Sequence, residues 1–140
     1  MTKTLRRHRP GGPLLLAALL GLALAVPMAA RAQDDQIAAG EKVFKRCGAC
    51  HQIGDGAKNQ VGPELNGVIG RTAGTLDSYT YSDAMVAAGK GGLVWSAEAL
   101  DPYLKSPKDV VPGTKMTFAG LKKDDERAAV IAYLVKMSGS

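Results

Sequence analysis

Apolar residues recur at the spacing of an α-helix near both ends of the chain that follows residue 32. The first of these stretches predicts a helix from about Gln36 to Cys47, with Asp34 and Asp35 capping its start. The last predicts a helix that begins near Asp124, where acidic residues complement the positive end of the helix dipole. We therefore expect a helix at each end of the folded domain.

Two shorter helical patterns lie between these ends. One predicts a helix from Tyr81 to Ala88, and the other predicts a helix from Ala97 to Lys105 with Ser96 as its N-cap and Pro107 as its stop. Residues 52–78 are rich in Gly, Asn and Asp without a sustained period, which predicts an ordered loop. Because there is no alternating strand pattern and no repeat, the predicted fold is all-α, with about four to five short helices joined by long loops.

The first 32 residues have the features of an export signal. Basic residues precede an apolar run from Leu14 to Val26, and Ala30-Arg31-Ala32 has the small-x-small pattern of a signal-peptidase site. The run is shorter than the roughly 20 residues of a membrane span, although an uncleaved anchor remains the alternative. We expect residues 1–32 to be a cleaved secretory signal peptide, residues 33–140 to form one domain, and the protein to be periplasmic.

The net charge of the whole chain depends on this signal. The chain has 18 Lys and Arg against 13 Asp and Glu, but five of the basic residues and none of the acidic ones lie in residues 1–32. Residues 33–140 therefore hold 13 of each and carry no formal net charge. Since nucleic-acid-binding domains have a basic excess, we expect no nucleic-acid partner.

Cys47-Gly48-Ala49-Cys50-His51 is the C-x-x-C-H pattern of c-type haem attachment. Two thiols at this spacing can each add to one haem vinyl group, and the adjacent imidazole then lies under the iron. Cys47 and Cys50 are the only cysteines of the chain, and His51 is its only histidine outside the signal. A large apolar cofactor would also complete a core for which the domain supplies only seven aromatic side chains.

Other uses of the motif remain open at this point. Two cysteines of an exported protein can form a structural disulfide or a thioredoxin-like redox pair, although the redox pair requires a βαβ pattern that the sequence lacks. A structural zinc site needs four ligands, usually Cys and His, and residues 33–140 offer three of these in one cluster. We favour haem.

A second axial ligand has to come from outside the motif, and methionine and lysine are the main candidates. Met85 and Met137 lie on helical patterns and are expected to fill the core. Met116 lies in a loop shaped by Pro and Gly and can reach the haem face opposite His51. On this ground we favour Met116 as the ligand, with loop packing as the alternative. A His/Met pair raises the reduction potential and suits electron carriage.

The chain resembles the class I c-type cytochromes, of the bacterial cytochrome c2 and mitochondrial type, over nearly all of its folded domain. The matching positions are Gly40 with Phe44, residues 47–51, residues 62–71, residues 81–84, Trp95, residues 103–116, Phe118 and residues 126–134. The resemblance implies a small single-domain fold wrapped around one covalently attached haem c.

The resemblance also implies which residues hold the iron and the haem. His51 and Met116 are the expected axial ligands, and Cys47 and Cys50 are the expected thioether attachment points. The backbone carbonyl of Pro63 is expected to accept a hydrogen bond from the second imidazole nitrogen, which fixes the tautomer of the ligand.

Further positions match residues that surround the haem in this family. Arg71, Tyr81 and Trp95 match partners of the buried haem propionate, and each is a hydrogen-bond donor. Tyr103 and Thr114 match positions near the methionine sulfur.

The chain departs from the family pattern at Met85, where the family often has an Asn that serves a buried water near Tyr103 and Thr114. We hypothesise that this water is absent here and that the pocket is drier.

These features predict a soluble periplasmic carrier of single electrons that is monomeric, is not an enzyme and contacts membrane surfaces only transiently. The implied partners are quinol-cytochrome c reductase and a terminal oxidase or photosynthetic reaction centre. The predicted docking face comprises Lys42, Lys45, Arg46, Lys58, Lys108, Lys115, Lys122 and Lys123. The alternative is a haem enzyme or sensor with an open iron site, which requires that Met116 not ligate.

Overall fold

The computed structural model describes residues 28–139. Within that range the helices are α1 (Met28–Phe44), α2 (Asp83–Lys90), α3 (Ala97–Lys105), α4 (Pro107–Val110) and α5 (Asp124–Ser138). The only β-structure in this part of the chain is one isolated bridge between Thr72 and Val94. The prediction of an all-α fold is therefore confirmed.

Side-chain caps start both middle helices: α3 begins at Ala97 as predicted, and α2 begins at Asp83, two residues after the predicted start at Tyr81. The Ser82 hydroxyl accepts a hydrogen bond from the backbone N–H of Met85 at the start of α2, and Ser96 caps α3 through Ala99 in the same way. α3 ends at Lys105 as predicted, and Pro107 begins the short helix α4. The predicted start of α5 at Asp124 is also confirmed.

The predicted limits of the first helix are wrong at both ends. α1 begins at Met28, so Asp34 and Asp35 lie inside the helix and do not cap it. The residues that precede them are rich in Ala, which has the highest helix propensity, and the helix extends through them. α1 ends at Phe44, before the cysteine motif.

The predicted signal peptide falls largely outside the described residues, which include neither its basic start nor its apolar run. Its predicted cleavage point after Ala32 falls within α1 and stays a prediction. None of the helices described between residues 28 and 139 is both long and apolar enough to cross a membrane.

α1 and α5 pack closely where Gly40 meets the backbone of α5. A Cβ atom at Gly40 would lie 2.0 Å from the carbonyl oxygen of Ala129 and 2.8 Å from Cβ of Tyr133, so only glycine allows this approach. One turn further along α1, the rings of Phe44 and Tyr133 are 5.4 Å apart. The contact therefore joins the two ends of the domain and sets the direction in which the chain enters the cysteine motif.

Arg127 of α5 is a charged side chain buried in this framework, with 3% of its surface exposed. Its Nε donates to Asp101 of α3 at 2.8 Å, and its Nη2 donates to Asp124 at 2.6 Å. Its Nη1 donates to the carbonyl oxygens of Leu121 and Lys122 at 3.1 and 3.2 Å. One guanidinium thus ties α3, the start of α5 and the end of the loop before α5.

Candidate functional site

A cavity of about 460 Å³ lies between the helices and the long loops. Buried residues of α3 and α5, among them Leu100, Leu104, Val130 and Leu134, form part of its wall, and the loops supply the rest. Every predicted site residue lines this one cavity: Cys47, Cys50, His51, Pro63, Arg71, Tyr81, Trp95, Tyr103, Thr114 and Met116. The structure therefore brings together residues that are as much as 69 positions apart in the sequence.

The cysteine motif forms tight turns directly after α1. The backbone N–H of Cys47 donates to the carbonyl of Phe44 at 2.7 Å, and those of Cys50 and His51 each donate to the carbonyl of Cys47 at 2.9 Å. Cys47 and Cys50 are both half-buried free thiols. Burial raises the pKa of the Cys47 thiol, and the nearby charge of Arg46 opposes this effect. The turns place both thiols and the imidazole on the same cavity.

The imidazole of His51 is held by the loop that follows the motif. Its Nδ1–H donates to the backbone carbonyl of Pro63 at 2.7 Å, which leaves the lone pair of Nε2 available to a ligand. Burial lowers the pKa of His51, while the bond to Pro63 opposes the shift. A Cβ atom at Gly62 would lie 2.3 Å from Cε1 of His51, so the backbone approaches the ring closely at a position that only glycine can occupy.

The thioether of Met116 is reached by a hydroxyl group inside the cavity. Tyr103, which is 6% exposed, lies with its hydroxyl oxygen 3.3 Å from the sulfur of Met116, and the backbone N–H of Met116 donates to the Thr114 hydroxyl at 3.3 Å. Burial raises the pKa of Tyr103, and its hydrogen bond with Thr114 opposes this.

Met85 is buried and also lines the cavity. The absence of a water beside it stays a prediction, which a high-resolution structure of the haem-bound protein would test.

Arg71 and Trp95 are linked through the backbone on another part of the cavity wall. The backbone N–H of Trp95 donates to the carbonyl of Arg71 at 2.9 Å, and the Trp95 ring lies 4.7 Å from that of Tyr103. The Arg71 guanidinium donates to the carbonyls of Glu64 and Asn66 at 3.2 and 3.3 Å. Together with Tyr81, these side chains contribute polar groups to the cavity wall.

Two of the predicted docking residues, Arg46 and Lys115, lie at the cavity and bond to the protein itself. Arg46 donates to both carboxylate oxygens of Glu126, at 2.7 and 3.0 Å. Lys115 donates to the backbone carbonyl of Thr80 and lies 4.9 Å from the centre of the Tyr79 ring. Two more members of the set, Lys122 and Lys123, contact the Lys105 carbonyl and Glu126. None of these four internal contacts was predicted from the sequence.

Several residues of the site were not predicted. Gly62 was visible in the sequence only as half of a Gly-Pro turn, and its closeness to His51 depends on the folded loop. Glu64 had no assigned role, yet its carboxylate pairs with Arg71. Between residues 28 and 139, no group of three or more His, Cys, Asp or Glu side chains is arranged to hold a metal ion.

The chain is similar to known cytochromes. The sequence profile of the family "Cytochrome c" matches residues 37–138. A "Cytochrome c2" from Afifella marina is 56% identical over 100 residues, which cover 71% of this chain and 81% of the relative. A "Cytochrome c2" from Agrobacterium tumefaciens (strain II Chrys) is 52% identical over 107 residues, which cover 76% and 96%. The solved "Structure of cytochrome c2 from Rhodospirillum Centenum" superposes with a TM-score of 0.69 at 43% identity and covers 72% of this chain and 97% of that one.

Proposed function

Because this chain belongs to the cytochrome c family, we propose that it is a periplasmic carrier of single electrons whose haem iron is ligated by His51 and Met116. The family implies a covalently bound haem c, and Cys47 and Cys50 have the spacing of its attachment motif. The observation that carries the proposal is that both thiols, the imidazole and the Met116 thioether line one cavity.

The residues present fit a haem. The cavity is walled mainly by apolar side chains, as a porphyrin ring requires, and its imidazole is already oriented by the carbonyl of Pro63. The glycine at position 62 lets the backbone lie against the imidazole ring, where any side chain would push the histidine aside. When bound, the haem supplies an iron that alternates between the ferrous and ferric states.

The chain's own residues tune and insulate that centre. His51 is kept in its neutral form by burial, the form in which Nε2 can bind a metal. The Tyr103 hydroxyl withdraws electron density from the Met116 sulfur, which favours the ferrous state. Arg71, Tyr81 and Trp95 would hold a haem carboxylate that would otherwise be costly to bury. The apolar part of the cavity wall would keep water away from a bound haem.

Carbon monoxide binding tests the proposed ligation, because the gas binds ferrous haem only where a coordination position is open. We expect the reduced wild-type protein to bind no carbon monoxide under conditions in which Met116→Ala binds it fully. Met137→Ala serves as the matched control, since Met137 does not line the cavity, and it should behave as the wild type does. Rapid binding by the wild type would favour the alternative of an enzyme or sensor with an open iron site.

We propose that its partners are quinol-cytochrome c reductase as donor and a terminal oxidase or photosynthetic reaction centre as acceptor. Support comes from two of the predicted docking residues, Arg46 and Lys115, which line the cavity. Such a face steers association with acidic partners, and salt screens the attraction. The rate of electron transfer measured by stopped flow should therefore fall as ionic strength rises. A rate that does not depend on salt concentration would contradict electrostatic steering.

The remaining features of the proposal concern the state of the protein in the cell. We propose that the signal peptide is removed after Ala32, that the domain is monomeric and that it touches the membrane surface only while it is docked. Mass spectrometry of the exported protein should give the mass of residues 33–140 plus one haem. A mass that includes residues 1–32 would instead indicate a retained anchor.

A further inference from the structure

Glu64 places a negative charge beside the guanidinium of Arg71 at the wall of the cavity. Its Oε1 lies 3.8 Å from Nη1 of Arg71, and the two side chains are only 17% and 16% exposed. Its neighbours Pro63 and Leu65 both line the cavity, whereas Glu64 does not. The charge is therefore close to the cavity but does not project into it.

The Glu64 carboxylate is held in place from a second side. Its Oε2 accepts a hydrogen bond from the backbone N–H of Asn66 at 2.7 Å. The backbone N–H of Glu64 donates to the Asn59 side chain at 2.9 Å. The carbonyls of Glu64 and Asn66 in turn accept from Arg71. One short loop thus fixes the positions of both partners of the ion pair.

Both charges act on the interior of the cavity wall. Burial is the main reason that the pKa of Tyr81 is raised, but the charge of Arg71 lowers it and the charge of Glu64 raises it. A group bound in the cavity beside Tyr81 therefore experiences Arg71 and Glu64 as opposing charges. Because both side chains are largely removed from water, solvent screens these charges only partly.

We infer that Glu64 lowers the reduction potential of the haem, because its negative charge offsets the positive charge that Arg71 presents to the cavity. This inference rests on the proposed function, in which Arg71 faces a haem carboxylate. The ferric state carries one more positive charge than the ferrous state, so a negative charge nearby favours oxidation. The positive charge of Arg71 favours the ferrous state, and the negative charge of Glu64 beside it weakens this influence.

The test is the midpoint potential of the haem-bound protein, measured by spectroelectrochemistry for four variants beside the wild type. Glu64→Gln removes the charge but keeps an oxygen that can accept from Asn66. Glu41→Gln is the matched control, because it removes the same charge from an exposed position on α1. Arg71→Gln and the double variant Glu64→Gln/Arg71→Gln complete a cycle.

We expect Glu64→Gln to raise the midpoint potential while Glu41→Gln leaves it unchanged. The rise should remain when Arg71 is already replaced, since the charge of Glu64 then acts on the haem without an opposing guanidinium. An unchanged potential in Glu64→Gln would overturn the inference, and loss of the rise in the Arg71→Gln background would overturn the direct action of the Glu64 charge. The comparison with Glu41→Gln stands even if Arg71→Gln fails to fold. Failure of the proposed function can be told apart from failure of this inference, because the wild type itself would then lack covalent haem or the methionine ligand.

Discussion

Nδ1 of His51 lies 2.7 Å from the backbone carbonyl of Pro63, and the glycine before that proline lies directly against the imidazole ring. The two contacts come from adjacent residues, so a single turn both orients the ring and limits the space around it. The hydrogen bond assigns the proton to Nδ1 and leaves the lone pair of Nε2 available to a ligand. Because Gly62 lies so close to the ring, a single methyl group added at this position would disturb the arrangement.

Gly62→Ala is expected to destabilise the haem-bound protein by about 1–3 kcal/mol, the usual cost of overpacking a filled site. The added Cβ would lie 2.3 Å from Cε1 of His51, so either the ring or the loop has to move. Guanidinium denaturation followed by circular dichroism measures the loss. Gly48→Ala is the control, because its Cβ would meet only the Lys45 carbonyl at 3.4 Å, and it should stay within about 1 kcal/mol of wild type. Equal stability of the two variants would contradict this interpretation.

Tyr103→Phe is expected to lower the midpoint potential without altering the fold. The variant removes the hydroxyl that lies 3.3 Å from the Met116 sulfur. The sulfur would then donate more electron density to the haem iron, and the ferric state would become more stable. Tyr133→Phe removes a hydroxyl from a ring that packs on Phe44 outside the cavity, and it should keep the wild-type potential. If both variants gave the same potential as the wild type, the hydroxyl would have no influence on the ligand.

Arg127→Lys is expected to lower the unfolding free energy by more than the same change in an exposed ion pair, because the guanidinium of Arg127 is itself buried. A lysine keeps the charge, but its single ammonium group cannot reach Asp101, Asp124 and the two loop carbonyls together. Arg46→Lys is the matched change in an exposed pair and should cost less than about 1 kcal/mol. Chemical denaturation of both variants tests the difference, and comparable losses would show that the burial of Arg127 has no energetic consequence.

The ion pair between Arg46 and Glu126 predicts a dependence of stability on pH. The hydrogen bond from Arg46 is the main reason that the pKa of Glu126 lies below its ordinary value. A carboxyl whose pKa is lowered by folding stabilises the protein above its unfolded pKa, and this stabilisation is lost as the pH falls through the folded pKa. Wild type should therefore be more stable than Glu126→Gln at neutral pH and lose that advantage in acid. Replacing Arg46 with Gln should reduce the advantage at neutral pH, and an advantage that does not change with pH would refute the linkage.

The sequence predicted the helices well where a local signal marks their ends. Ser96 and Pro107 bracket α3, and acidic residues mark the start of α5, because capping and proline effects act within one turn. The start of α1 was missed, since an Ala-rich segment continues the helix through the aspartates that were expected to cap it.

Residues of the site could be predicted from sequence where their chemical type and their place in a motif indicate their role. The C-x-x-C-H motif and the family resemblance assigned the ten residues that the structure places on one cavity. The burial of Arg127 depends on Asp101, which is 26 residues away, and nothing in the local sequence connects the two. The pairing of Glu64 with Arg71 depends in the same way on how the loop between them folds. Such contacts form only in the tertiary structure, so local sequence patterns do not predict them.

The visible spectrum tests the central claim most directly. The protein should be produced in a periplasm that contains haem-attachment machinery, and its spectrum recorded oxidised, reduced and after denaturation. We predict haem that stays with the denatured chain, together with a weak red band from the Met116 sulfur to the ferric iron that disappears in Met116→Ala. Covalent haem without that band in the wild type, together with ready binding of carbon monoxide by the reduced form, would contradict the assignment of a His51/Met116 electron carrier.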